Sequence, residues 1–487
     1  VTYQPYDFQL ELADKIESAF GSVDRVLATA PTGAGKTVIA AEVIRRWPRG
    51  VLFLAHRSEI IDQTAEKLKK NGIPHGVIQS GKDDQLRPMA RVQVASVQTM
   101  HARGEAPPAS LIIVDECHHV LGKTYKQIIQ KYPGAKILGL TATPCRGDGR
   151  GLGGVFERLE TGPQVKDLIN RKVLVNSLVY SKKIDLKGIK SRGGDYVVDG
   201  LESAVNLPSM VGDVVTHWAK YGMGRPTVVF AVSVAHSIHL TNQFREFGVQ
   251  AAHLDGHTCS RERVDILARL ASGEIQILCN NLVLTEGWDS PSVSCCILAR
   301  PTKKLGLYKQ MVGRVLRAHP GKENAIVIDH SGAVHMHGLP DDHVAWTLDP
   351  DTKANVPAHD LRKGDAQMQL VACKCGALRK GGLPCLVCGW MPVPKGRYHE
   401  FMDGDLFRVG TVNKGPSREV MQSWFSQLVS LQMKRGYQRG WVSHKFREKF
   451  KQWPENLNYR EESPSPEVLA WVKSRQIAYA KRKSLVS

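Results

Sequence analysis

The 487-residue sequence predicts an α/β fold: two parallel-sheet domains in tandem, a small cysteine-rich module, and a basic, helical C-terminal domain. Three observations carry this. Apolar runs of strand length alternate with amphipathic stretches of helical period, the pattern of a parallel sheet covered on both faces. The alternation occurs twice, separated by an irregular stretch over 160–205 and restarting near Pro208. Beyond residue 370 the composition changes to four clustered cysteines, then to a segment rich in Lys, Arg and aromatic residues.

Bulk composition narrows the function classes. The chain is too long for one core. No apolar run approaches the ~20 residues that a membrane span needs. The first residues lack a basic stretch followed by an apolar one, so no secretory signal is expected and a reducing cytoplasm is. The formal charge of +19 favours a polyanionic partner, nucleic acid first.

Residues 1–205 are expected to form the first domain. Its first helix carries Gln9, whose amide can pair with an adenine edge if the segment folds back on the site; otherwise it is simply solvated. The short strand Val26-Leu27-Ala28 leads into Thr29-Ala30-Pro31-Thr32-Gly33-Ala34-Gly35-Lys36-Thr37, and a helix follows. A glycine-bearing loop between strand and helix is a phosphate cradle. Backbone groups of Thr32, Gly33, Ala34 and Gly35 would face the anion. Lys36 would reach the β- and γ-phosphates, and the Thr37 hydroxyl would ligate Mg²⁺. Ala30 stands where the motif usually begins with glycine. Strands are expected at 51–55, 92–96, 111–114 and 137–140, with a helix over 58–70.

Asp115-Glu116-Cys117-His118 follows the strand at 111–114, on the same sheet edge as the cradle. Asp115 suits Mg²⁺, and Glu116 suits general-base activation of water. Thr141 and Thr143 sit at the end of the next strand. They could link this site to a second ligand.

Residues 206–345 read as the second domain, with strands at 227–232, 249–254, 275–279, 294–298 and 325–329 and helices over 233–247 and 261–271. It has no phosphate loop of its own, so its contribution must come across a cleft. Arg314 and Arg317 lie three residues apart on an expected helix and share a face. Guanidinium groups suit the spread charge of a γ-phosphate. Lys303 and Lys304 read equally as phosphate contacts or as solvated side chains.

The set Gln9, Ala30–Thr37, Asp115–His118, Thr141–Thr143, Thr285-Glu286-Gly287-Trp288-Asp289 and Gln310-Met311-Val312-Gly313-Arg314-Val315-Leu316-Arg317 resembles the superfamily 2 helicases and translocases in order and spacing. It covers roughly residues 3–340. The resemblance implies two RecA-like domains, ATP as the nucleotide, and Gln310 near the attacking water. It implies arginine fingers at Arg314 and Arg317, and nucleotide and backbone contacts at Gly287 and Asp289. It gives His118, Thr141 and Thr143 a coupling role. Asp-Glu-Cys-His in place of Asp-Glu-Ala-Asp looks like the XPB, restriction-translocase and RadD side of the superfamily. Gly139–Pro144 with Arg146, Asp148 and Gly149, together with Leu284–Asp289, look most like RadD-type bacterial DNA-repair helicases and their phage-borne relatives. That implies single-stranded, forked or branched DNA, the cytoplasm of a bacterium or a phage-infected host, and partners such as a single-strand-binding protein or a recombinase. A duplex translocase that does not separate strands, an ATP-switched adaptor and an RNA substrate remain alternatives.

After a polar linker at 346–370, the 371–392 module holds Cys373-x-Cys375 and Cys385-x-x-Cys388. Two close pairs suit tetrahedral Zn²⁺; redox cysteines and an iron–sulfur cluster are the other readings. From Met391 to the end there are 18 Lys and Arg against 9 Asp and Glu. Helices are expected at 417–435 and 464–482. Within 393–487, Lys434, Arg435, Arg439, Trp441, Lys445 and Trp453 interleave charge with aromatic faces. They are the candidate nucleic-acid contacts. Alternatively the aromatics form the small domain's own core.

Overall fold

The computed structural model describes residues 4–475 apart from 105, 183, 185, 187, 206–207, 355–369, 382, 391–417, 439, 451 and 473–474. Arg439, most of the expected linker and the end of the helix expected at 464–482 fall outside the described residues. The chain divides into two compact units, Val1–Lys395 and Gly396–Ser487.

The first domain contains β1 (Arg25–Thr29), β2 (Val51–Ala55), β3 (His75–Ile78), β4 (Val92–Ser96), β5 (Leu111–Asp115), β6 (Lys136–Thr141) and β7 (Arg158–Thr161). Its helices are α1 (Asp7–Phe20), α2 (Lys36–Arg46), α3 (Ser58–Lys70), α4 (Val97–Arg103), α5 (Lys123–Ile129) and α6 (Val165–Asn170). All seven strands are parallel, in the order β3-β4-β2-β5-β6-β1-β7. Successive side chains point to opposite faces of a strand. Val26, Ala28, Phe53 and Ile113 therefore join one apolar layer, and Leu27, Leu52, Leu54, Ile112 and Val114 join the other. Burial on both faces explains why β2, β4 and β5 are apolar or small nearly throughout. The order β5-β6-β1 brings the carboxyl ends of three strands side by side: Asp115, Thr141 and the cradle after Thr29.

The second sheet begins earlier than the sequence suggests. Its strands are β8 (Asn176–Ser181), β11 (Thr227–Phe230), β12 (Ala251–Leu254), β13 (Ile277–Asn280), β14 (Cys295–Leu298) and β15 (Asn324–Asp329), in the order β12-β13-β11-β14-β15-β8. A boundary at 205 would leave β8 with the first domain, whereas it pairs in parallel with β15 along its whole length. The 176–181 run, Asn-Ser-Leu-Val-Tyr-Ser, has only three central apolar or aromatic residues and lies at the sheet edge with all but Val179 at least partly exposed, which hides it from a search for longer apolar runs. Between β8 and β11 come the hairpin β9 (Ser191–Arg192) and β10 (Asp195–Tyr196), then α7 (Val198–Val205) and α8 (Pro208–Tyr221). The sheet is flanked by α9 (Val234–Glu246), α10 (Ser260–Ser272), α11 (Leu305–Gly313) and α12 (Ala333–His337). Trp218, Val229, Phe244 and Ile297 centre one of its apolar layers.

The antiparallel pair β16 (Leu370–Ala372) and β17 (Leu378–Lys380) carries the first two clustered cysteines on its turn. It packs against β8, with Tyr180 against the buried Cys373 and Cys385.

In the C-terminal unit, α13 (Arg418–Arg435) and α14 (Trp441–Phe450) pack around Trp424, Leu428, Leu431, Val442 and Phe446. Val468 and Val472 complete this core. No helix among the described residues is long and apolar enough to cross a membrane.

Candidate nucleotide-binding site between two sheet domains

The cradle after β1 turns on two glycines with left-handed backbone, Gly33 at φ 90° and Gly35 at φ 80°. Side chains with a Cβ rarely adopt this conformation. Gly35 caps α2, so the helix starts at Lys36 with its first N–H groups facing the cavity. Gln9 does fold back beside the loop, but its amide is engaged there. Its Nε2 donates to the Ala34 carbonyl at 2.8 Å and its Oε1 accepts from Tyr6 N at 3.0 Å. Gln9 thus braces the loop from beneath, and the neighbouring Tyr6 lines the cavity.

The cavity measures about 550 Å³ and is lined from both domains. Thr32, Gly33, Gly35, Lys36, Thr37, Asp115 and Glu116 come from the first, and Gly287, Asp289, Arg314 and Arg317 from the second. Sequence reasoning passed over Lys67 and Lys172, which line it as well. Lys67 ends a turn of α3, and burial pulls its ammonium below the ordinary lysine value. Its signal was its place on the helix after a strand whose carboxyl end faces the site. With Lys70, six cationic side chains line the cavity against the three acids Asp115, Glu116 and Asp289. The balance favours a polyanion.

Lys36 Nζ stands 3.9 Å from Glu116 Oε1. Glu116 has left-handed backbone at φ 47°, a strained conformation for a residue with a side chain. Burial alone would raise its carboxyl, but Lys36 and His118 hold it low. Asp115 behaves oppositely: burial and the neighbouring Glu116 push its carboxyl up to about 6. A buried acid in that state suits a cation. Asp115 and Thr37 lining one cavity fit Mg²⁺. Thr141 Oγ1 donates to Glu116 Oε2 at 3.2 Å, and Thr143 N donates to Thr141 Oγ1 at 3.1 Å.

The second domain is seated by one face of α11. Gly306, Gln310 and Gly313 recur at helical spacing on that face. A Cβ on Gly306 would lie 3.3 Å from Thr143, and one on Gly313 would lie 2.6 Å from the Thr32 Cβ. Gln310 between them is buried and lines a neighbouring cavity of about 1060 Å³, not the phosphate cavity where the resemblance puts it. The arginines also depart from expectation. The helix ends at Gly313: Arg314 follows as its C-cap, and Arg317 lies in an isolated antiparallel bridge with Leu174, so the two do not share a helical face. Arg314 donates from Nε to the Thr285 carbonyl at 3.1 Å and from one terminal nitrogen to the Trp288 carbonyl at 2.7 Å. Its other terminal nitrogen also reaches Thr285. Arg317 pairs with Asp289 at 3.0 Å. Burial, then Arg317, pull Arg314 down to about 10.

The larger cavity is lined by His56, Arg57, His118, Thr143, Arg146, Glu286, Arg300, Lys303, Lys304 and Gln310, among others. His56 and Arg57 follow directly on β2, a strand end that the sheet-edge rule marks as a ligand position.

Apart from this site, the thiols of Cys373, Cys375, Cys385 and Cys388 all lie within 4.8 Å of one another. The Cys373–Cys388 and Cys375–Cys385 sulfurs are 3.6 Å apart. That is far beyond a disulfide and close to the ~3.8 Å edge of a tetrahedron with 2.3 Å zinc–sulfur bonds.

In the C-terminal unit, Trp441 stacks on Tyr437 at 4.3 Å and packs on the small core, while Phe446 is fully inside it. Trp453 is 44% exposed, with the Arg447 guanidinium 4.6 Å over its ring. Lys434 and Arg435 are exposed at the end of α13, and Lys445 pairs with Glu448 at 2.7 Å.

Residues 2–146 match the family described as the res subunit of type III restriction enzymes. Residues 210–319 match the helicase conserved C-terminal domain. A 51.5 kDa protein of a Lactococcus phage is 34% identical over 320 residues, 65% of this chain and 68% of that one. The helicase-family protein IRC3 of Saccharomyces cerevisiae is 30% identical over 353 residues, 67% of this chain and about half (51%) of its own length. The DNA 3'-5' translocase XPB2 of Sulfurisphaera tokodaii is 22% identical over 338 residues, 60% of this chain and 75% of that protein.

The Gly313 contact generates a test. Gly313→Ala places a methyl carbon where Thr32 already sits, so the second domain must back away from the cradle. A displacement near 1 Å can cost about 10²-fold in rate. Nucleotide turnover should fall by that order, with nucleotide affinity held within a few fold because the cradle belongs to the first domain. Steady-state hydrolysis beside a fluorescent-nucleotide titration checks the pair of values.

Proposed function

Because the chain belongs to the superfamily 2 helicases, we propose that it hydrolyses ATP to move along DNA or to unwind it, with branched or forked DNA as the preferred substrate. One observation carries the reading: the cradle of one sheet domain and two arginines of the other line a single cavity, so hydrolysis and domain closure are one event. In this reading Lys36, Lys67 and the cradle bind the triphosphate. Thr37 and Asp115 hold Mg²⁺, which neutralises phosphate charge when bound. Glu116, kept ionised beside Lys36, takes the proton of the attacking water. Arg314 and Arg317 answer the charge that develops on the γ-phosphate.

The preference for DNA rests on the resemblance to RadD-type enzymes at Gly139–Pro144 and Leu284–Asp289, and on the likeness to a protein named as a DNA translocase. ATPase assays with single-stranded DNA, duplex, forked DNA and RNA test it. Forked DNA should stimulate most and RNA least; equal stimulation by RNA would remove the DNA assignment. In the same assay Glu116→Gln should bind ATP normally and turn it over ~10²–10⁴ times more slowly. Wild-type turnover by that variant would dismiss Glu116 as the base.

Two accessory roles follow. The four-cysteine cluster fits Zn²⁺, and elemental analysis should find about one zinc per chain, lost when Cys385 and Cys388 are both changed to Ser. Residues 396–487 supply an auxiliary nucleic-acid grip through Lys434, Arg435 and Trp453. Trp441 and Phe446 serve its core instead. Removing 396–487 should raise the DNA concentration needed for half-maximal ATPase and flatten its salt dependence, without changing DNA-free ATP binding.

A further inference from the structure

We infer that Glu286 is a positioning residue for hydrolysis: reaching across from the second domain, it holds His118 against Glu116, so that the base is set only when the two domains meet. This rests on the reading of Glu116 as the base. The observations are geometric. His118 Nδ1 lies 3.4 Å from Glu116 Oε2 and 3.3 Å from Thr141 Oγ1, while its Nε2 lies 3.2 Å from Glu286 Oε1. The ring is pinned from both sides, and losing either partner frees it to rotate.

Glu286 is itself aimed and held. Its side chain is only 8% exposed, and a buried carboxylate is tolerated only when paired. Every side-chain partner among the described residues comes from the first domain. His56 Nε2 is 2.9 Å from Oε2, Arg57 Nε is 3.5 Å from the same oxygen, and His119 Nε2 is 3.4 Å from Oε1. Backbone contacts fix the loop on either side: Arg57 donates to the Val283 carbonyl and Gln63 to the Gly287 carbonyl, both at 2.8 Å. The stretch 285–289 also receives Arg314 at Thr285 and Trp288, and Arg317 at Asp289. One five-residue stretch thus touches the base, through His118, and both arginines. A static interdomain ion pair would need none of this convergence on His118.

A double-mutant cycle tests it at saturating DNA. Glu286→Ala should lower kcat about 10²-fold, the scale of a lost orientation, with affinity for a non-hydrolysable ATP analogue within twofold. His118→Ala should do the same. The double variant should be no slower than either single one by more than about twofold, since both remove one relay. Glu286→Gln, which keeps size and one acceptor oxygen, should recover part of the rate. It takes the place of Glu286→Ala in the cycle should that variant fail to fold. Full kcat in the Glu286 variant, losses that multiply in the double variant, or analogue affinity falling in step with kcat would each overturn the inference. The arms separate it from the functional reading: a wild-type chain without ATPase sinks both, whereas normal wild-type turnover with an unaffected Glu286 variant sinks only the relay.

Discussion

A charge problem divided between two bodies governs this molecule. Lys36 and Lys67 face the same cavity as Arg314 and Arg317, and burial penalises three of these four cations. Asp115 and Glu116 sit among them, also buried, with their ionisation pushed in opposite directions. No arrangement of these groups alone is comfortable at low dielectric. In the proposed reading a triphosphate with its cation would resolve the conflict: the phosphates would pair the surplus positive charge and Mg²⁺ would satisfy Asp115. Neither sheet domain holds enough of the set to do this alone. In that reading ligand binding and domain approach are coupled by electrostatics before any moving part is invoked.

The seam that sets the approach is made of small contacts at fixed spacing. Gly306 and Gly313 let one face of α11 reach Thr143 and Thr32, where any side chain would act as a spacer. On the other flank, α3 and the residues just before it grip 283–287: Arg57 reaches the Val283 carbonyl and the Glu286 carboxylate, and Gln63 reaches the Gly287 carbonyl. Arg314 and Arg317 do not hang free in the cavity but are moored to the 285–289 stretch. Any shift of that stretch moves both guanidinium groups and the His118 contact together.

The aromatic and basic residues near the C-terminus show why composition is an ambiguous signal. A unit of under a hundred residues must bury several large side chains to be stable. Trp424 and Phe446 meet that need, and Tyr437 and Trp441 close its flank. Trp453 is left outside with Arg447 over its ring. A single composition thus divides into a buried set and an exposed one, and only packing separates them.

Much of this protein was legible in its sequence because the informative signals are local. A strand, a glycine-bearing turn and a helix start follow one another within Val26–Ile44, so the cradle, Lys36 and Thr37 needed no tertiary information. The same holds for Asp115 and Glu116 at the end of a continuous apolar strand, and for two close cysteine pairs. What escaped was set by packing between distant segments. The edge strand β8 is half covered and lacks an apolar run, so its membership of the second sheet appears only in its pairing with β15. Gln310 and the two arginines share a stretch of eight residues, yet α11 stops at Gly313 and sends them to different cavities. Glu286 looked like one letter of a motif, and His56 like the residue after a strand. They meet because two sheets, each specified by its own apolar pattern, dock at an angle that no local pattern encodes.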